Sequence, residues 1–142
     1  MTEVRPVRDE VELEAAMALR HAVFVVEQQV PLAEELDGRD REALHLVAVA
    51  DGEVVGTCRL LFRPVRATLG RMAVAPEWRG RGIGSRLLDE AEAQARASGA
   101  DRIALAAQTG AVGLYERAGY RARGDRFMDA GIEHVLMEKP VA

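Results

Sequence analysis

Residues 79–84 read Arg-Gly-Arg-Gly-Ile-Gly, with a short apolar run before them and an amphipathic stretch after them. The run before is Leu69-Gly-Arg-Met-Ala-Val-Ala75, followed by Pro76-Glu-Trp78. The stretch after runs from Ser85 to Ala95. The pattern predicts a strand, a Gly-rich turn and a helix. A turn of this kind leaves several backbone N–H groups unpaired at the helix start, all pointing at one spot. The helix dipole adds partial positive charge there, so a phosphate is the natural occupant. Gly82 and Gly84 let the backbone come close to a bulky anion, because no Cβ stands in the way. Arg79 and Arg81 can add charge-assisted contacts.

Three nucleotide-binding patterns compete for this turn. A Walker A loop ends in Gly-Lys-Ser/Thr, and no lysine is present here. A dinucleotide fingerprint is Gly-x-Gly-x-x-Gly with an acidic residue about 20 positions later. The spacing Gly80-x-Gly82-x-Gly84 is one residue too tight for it. The third pattern, Arg/Gln-x-x-Gly-x-Gly/Ala, is met by Arg79, Gly82 and Gly84. It resembles the pyrophosphate loop of the GNAT N-acetyltransferases, which use acetyl-coenzyme A.

Other segments resemble the same family in the right order. Arg71-Met-Ala-Val-Ala75 and Pro76 stand where the family strand splays from its neighbour and pairs with the pantetheine arm. Leu114-Tyr-Glu-Arg-Ala-Gly-Tyr120 is similar to the family segment Phe/Leu-Tyr-x-x-x-Gly-Phe/Tyr. Val23–Gln28, Ala107-Gln108 and Gly131–His134 resemble a small bacterial subgroup whose acceptor is generally unassigned. The resemblance implies an α/β (α+β) fold with a mixed, mostly antiparallel sheet, splayed at the acetyl-CoA site and carrying helices on both faces. It implies acetyl transfer from acetyl-CoA to an amine, usually primary and by direct attack. The Met72 backbone N–H then faces the thioester oxygen, and Ala73 and Val74 run along the pantetheine. Arg79, Gly80, Arg81, Gly82, Ile83, Gly84 and Ser85 hold the pyrophosphate. Tyr115 protonates the departing thiolate. No metal enters this reading.

Length and composition fit one domain over residues 1–142, enough for a sizeable core. A net charge of −4 argues against broad binding to nucleic acid or an anionic membrane. No apolar stretch approaches the roughly 20 residues that span a bilayer, and the start lacks a signal-peptide apolar region. Cys58 is the only cysteine, so no internal disulfide is available, and it reads as a small core residue in a strand. A cytoplasmic location is expected. The resemblance leaves a homodimer through a sheet edge or terminal strand open.

Along the chain, Val4–Val7 reads as a short strand. Asp9 caps a helix whose Glu12 completes a capping box, and His21–Val26 reads as a second short helix. Residues 27–43 are broken by Pro31 and Gly38 and crowded with acids, so a loop is expected, functional or mobile by its length. Asp51-Gly52 between apolar runs predicts a hairpin. A third strand at about 67–74 precedes the Gly-rich turn. A strand at 101–107, a short helix at 111–118 and strands at 120–128 and 132–137 complete the order. Strands with interspersed helices give a mixed sheet with helices on its faces.

The attacking amine must be neutral, so a base must take its proton. Glu27, Glu34, Glu35, Asp37, His45 and His134 are candidates; Glu27 and His134 stand out. Glu27 follows an apolar turn that can face an acceptor, and imidazole is the commonest proton acceptor in sites. Residues 27–37 are expected to wall the acceptor pocket opposite His134, their acids drawing in a cationic small-molecule amine. Arg59 and Arg71 read either as acceptor-binding groups or as ion-pair partners. Two rival functions share the same motifs: an acetyl-CoA-binding regulatory module without turnover, and a protein N-acetyltransferase.

Overall fold

The computed structural model describes residues 2–142. Among these, seven strands form one sheet: β1 (Thr2–Pro6), β2 (Leu44–Ala50), β3 (Glu53–Phe62), β4 (Arg66–Val74), β5 (Arg102–Gln108), β6 (Arg121–Asp129) and β7 (Ile132–Pro140). Their spatial order is β1-β2-β3-β4-β5-β7-β6. Only the β4–β5 pair is parallel; every other neighbouring pair is antiparallel. The helices are α1 (Glu10–Arg20), α2 (Leu32–Glu35), α3 (Ile83–Ala97) and α4 (Val112–Arg117).

The β2–β3 hairpin turns at Asp51-Gly52 with φ of 52° and 78°. Two left-handed residues in succession match the twist of the flanking strands, which is why Asp-Gly predicted it. β6 and β7 turn the same way through Ala130 and Gly131.

β2 and β3 are buried almost continuously, because both faces of the sheet are covered there, and alternate residues feed two layers. Leu46, Ala48, Cys58, Leu60 and Leu69 join Leu87, Leu88 and Ala91 of α3 in the main core. A Cβ at Gly56 would stand 2.7 Å from the Ile83 side chain, so glycine sets how closely α3 packs on β3. The intervening residues Val47 and Leu61 are also buried, on the face where α1 lies against β3 and β4.

Three expectations change at the start of the chain. The Asp9 carboxylate accepts from the Glu12 N–H as a cap should, at 2.9 Å. The Glu12 carboxylate does not return the bond to Asp9. It accepts from the Arg8 N–H and takes both arms of the Arg5 guanidinium, because a forked cation is a stronger partner than one amide. No break separates α1 from a second helix: His21–Glu27 continues it as a π-helical segment, with the Gln28 N–H reaching the Val23 carbonyl at 3.0 Å. The wider turn shifts which side chains face the sheet, and such segments recur at functional sites. Within 27–43, residues Leu32–Glu35 form α2 rather than loop.

Candidate active site

β4 and β5 pair only from Arg66 to Leu69 against Arg102 to Leu105. Beyond that point the two strands part. On its other side β4 carries a bulge: Thr57 faces Ala73 and Arg59 faces Gly70, so Arg71 and Met72 together stand opposite Cys58. The split opens a cavity of about 520 Å³ lined by β4, the ends of β5 and β7, the π-helical segment and the chain after it. That volume suits a small-molecule site.

The Gly-rich turn borders the cavity. Gly80 and Gly82 have φ of 76° and 81°. A Cβ at either would meet nothing within 4 Å, so conformation rather than crowding calls for glycine there. At Gly84 φ is ordinary, and a Cβ would lie 3.4 Å from Leu114 of α4. Among the described residues, no N–H from Gly80 to Ser85 donates to another backbone group; the first helical bond runs from Arg86 to the Gly82 carbonyl. This row of free donors at the head of a 15-residue helix fits a pyrophosphate. The two arginines are already engaged. Arg79 donates both arms to Glu27, at 2.7 and 2.8 Å, and its Nε to the Val74 carbonyl. Arg81 lies over the Trp78 ring at 4.7 Å. The Ile83 side chain belongs to the core, leaving only its N–H for a ligand.

Met72, Ala73 and Val74 line the cavity, as do Tyr115 and His134. The Tyr115 hydroxyl lies 4.0 Å from the Met72 sulfur. Tyr120 packs edge-on against its ring. Burial pushes the Tyr115 phenol up to about 12, with Cys58 adding to the shift. His134 stands beside Gln108 across the β5–β7 ladder and stacks on Phe127. Its Nδ1 lies 2.7 Å from the Ile132 carbonyl, which assigns the proton to Nδ1 and leaves Nε2 a free acceptor. Gln108 donates to Gln28 at 2.8 Å, joining the π-helical segment to β5. Glu27 is exposed and does not line the cavity, and its carboxyl is held below the usual range by the Arg79 hydrogen bonds. His45 is buried with Nε2 at 2.8 Å from the Asp40 carbonyl and does not line the cavity.

Residues 28–35 do wall the cavity, yet two of the expected free acids are bound. Glu35 is buried against Arg20 and Arg71, and Asp37 pairs with Arg59 and Arg71. Asp40 links Arg20 to Arg59. Three cations meet three anions, so of the acids expected in that wall Glu34 alone lines the cavity without an ion pair among the described residues. Arg59 and Arg71 are ion-pair partners. Sequence reasoning missed Arg20 and Asp40; nothing marks them locally, since their partners lie 15–20 residues away.

A family model described as an acetyltransferase (GNAT) domain matches residues 7–141. The chain belongs to the GNAT acetyltransferase family. The uncharacterized N-acetyltransferase YjcF of Bacillus subtilis is 39% identical over 134 residues, covering 93% of this chain and 95% of its own. An acyl-CoA N-acyltransferase from Pseudomonas aeruginosa has a TM-score of 0.84 at 30% identity, with 98% of each chain covered. An aminoglycoside 6'-N-acetyltransferase solved with coenzyme A shares the fold, at a TM-score of 0.78 and 16% identity over 99% of this chain and 97% of that one. This GNAT chain is therefore an acyltransferase. Its mostly antiparallel sheet, split between β4 and β5, is the arrangement the motifs implied. No described helix is long and apolar enough to cross a membrane, which says nothing of β-barrels.

Proposed function

We propose that the chain moves an acetyl group from acetyl-CoA to the primary amine of a small molecule by direct attack. The observation that carries this reading is the cavity at the β4–β5 split, where Met72, Tyr115 and His134 meet beside the free N–H groups of the Gly-rich turn. The relative solved with coenzyme A supports the choice of donor.

Acetyl-CoA supplies an activated acetyl group on a thioester. Gly80 to Ser85 offer backbone donors to its pyrophosphate, and Arg79 and Arg81 must leave Glu27 and Trp78 to add theirs. Ala73 and Val74 run along the pantetheine. The Met72 N–H meets the charge that gathers on the carbonyl oxygen as the amine nitrogen bonds to carbon. His134 Nε2 takes the proton this nitrogen loses. Tyr115 gives its proton to sulfur as the carbon–sulfur bond breaks. Burial raises the Tyr115 phenol to about 12, which keeps it protonated at neutral pH and its O–H ready to hydrogen-bond the sulfur as charge gathers there. Glu27 is the weaker candidate base, because it does not line the cavity whereas His134 does.

With Glu35 and Asp37 bound in ion pairs, the acidic wall that favoured a cationic acceptor is reduced to Glu34. The Gln28–Gln108 amides and His134 suit an amine on a neutral polar body. A cavity roofed by residues 28–35 supports a small molecule over a protein, and a buried phenol in its wall supports turnover over storage. The test is a panel of small amines with acetyl-CoA, read by thiol release, beside a peptide panel. Turnover of small amines is expected. Turnover of peptides alone, or acetyl-CoA binding with no turnover, would overturn the reading.

A further inference from the structure

Arg71 has a φ of 54°, a left-handed conformation that long side chains rarely adopt. It costs on the order of 1–2 kcal/mol and persists only where the surroundings over-determine it. The ladder does not supply that support. Pairing with β5 has ended at Leu69, and on the β3 side Arg71 shares one partner with Met72. The support comes from its own guanidinium. Nε lies 3.3 Å from the Glu35 carbonyl and 3.2 Å from the Glu35 carboxylate. Nη2 lies 3.2 Å from the Glu34 and Glu35 carbonyls and 3.3 Å from the Asp37 carboxylate. These acceptors are held in turn. Arg20, 1% exposed, donates to Glu35 at 2.8 and 2.9 Å; Arg59 donates to Asp37; Asp40 joins the two arginines. Burying so many charges is a poor route to stability, because desolvation offsets most of the attraction. What such a cluster does secure is geometry, and the geometry here is that of the bulge.

We propose that Arg71 is a positioning residue: clamped to the 34–37 segment, it holds the β4 bulge in the turn that aims the Met72 N–H at the thioester oxygen. This rests on the acetyl-CoA reading above. The same clamp seats the roof of the acceptor cavity, so one guanidinium aligns the charge-stabilising donor and the acceptor wall. The preceding residue sets the orientation of an N–H, and a displacement near 1 Å can cost on the order of 10²-fold in rate.

The test uses the bound donor rather than turnover alone. Acetyl-CoA labelled with ¹³C at the acetyl carbonyl is bound to the wild type, Arg71→Gly and Arg71→Lys, and the carbonyl stretch is read by infrared difference. Glycine accepts the left-handed backbone but removes the clamp; lysine keeps the charge without the planar fork. The expected result is a carbonyl band lowered in frequency on the wild type, returned toward the free position in Arg71→Gly and intermediate in Arg71→Lys. Calorimetric affinity for acetyl-CoA should stay within about threefold, since the pyrophosphate donors are untouched, while turnover of an amine drawn from the panel falls at least about tenfold with little change in the acetyl-CoA KM. A wild-type band shift in folded Arg71→Gly, or in Arg71→Lys if the glycine variant does not fold, overturns the proposal. So does a wild type that binds acetyl-CoA with no band shift. A wild type that fails to bind acetyl-CoA overturns the donor reading and this inference together, and calorimetry separates that outcome from the others.

Discussion

Tyr115 was legible as a residue because Leu114-Tyr-x-x-x-Gly119 is local, but its chemistry comes from burial. Its hydroxyl has the Met72 sulfur beside it and no strong acceptor among the described residues, so its proton is available to a leaving group. Tyr115→Phe should lower turnover about 10²-fold or more, within the range of general acid catalysis, while calorimetric affinity for acetyl-CoA holds. Wild-type turnover in that variant would remove the assignment. The base was not legible. Six side chains met the chemical description, and distance in sequence hid what each one touches. Arg79 takes Glu27 across 52 positions, and the Asp40 carbonyl takes His45. His134 keeps a free nitrogen in the cavity. His134→Gln should therefore cost about 10²–10⁴-fold in turnover. Glu27→Gln should leave turnover nearly intact, and the reverse order, measured on one verified amine, would return the role to Glu27.

Two elements carry separable predictions. At the head of α3, Gly82 is required by φ, whereas a Cβ at Gly84 would make only ordinary contact with Leu114. Gly82→Ala should destabilise by about 1–2 kcal/mol in chemical unfolding. Gly84→Ala sits at normal φ inside the helix, where alanine gains up to about 1 kcal/mol in propensity, so its stability should hold or rise. Gly82→Ala should also weaken acetyl-CoA binding by disturbing the turn that presents the phosphate donors, whereas the Gly84 methyl is directed at Leu114 and Met72. The 31–40 segment behaves differently. Asp37 is held well below the usual carboxylate range by its hydrogen bonds to Arg59, against an opposing effect of burial. A carboxyl depressed in the folded state lends stability in full above its unfolded value of about 3.9 and loses it as pH falls toward the folded one. Thermal unfolding should thus be insensitive to this group from neutral pH down to about 4 and steepen below it. Asp37→Asn should lower the midpoint at pH 7 and flatten that acid limb. An acid limb as steep as wild type would mean that Asp37 is not among the groups responsible.

Over the whole molecule the sheet is two pieces, β1–β4 and β5–β7, joined by a short parallel ladder and by α3 beneath it. A ligand lodged in the split touches both pieces and is absent from the unfolded chain. Saturation with acetyl-CoA at about 100 times its Kd should therefore raise stability by about 2.7 kcal/mol. Differential scanning calorimetry with acetyl-CoA and with an equal concentration of adenosine checks this. An equal midpoint in the two would remove the donor from the split.

What the chain determined by itself is whatever depends on neighbours in sequence. The Asp51-Gly52 hairpin, the capped start of α1, the Gly-rich turn into α3 and the Tyr115 segment are set by backbone conformation and by side chains a few residues apart. These local pieces, in their order, were enough to imply the family, the mostly antiparallel sheet and the donor loop. Tertiary structure alone decided which charges are free. A carboxylate at 35 or 37 reads as an open acid until Arg20, Arg59 and Arg71 arrive from a helix and two strands to bind it. The π-helical step after α1 and the left-handed turn at Arg71 belong to the same class. Neither residue type favours its conformation, and each is held by contacts that exist only once β3, β4 and the 28–40 segment have come together.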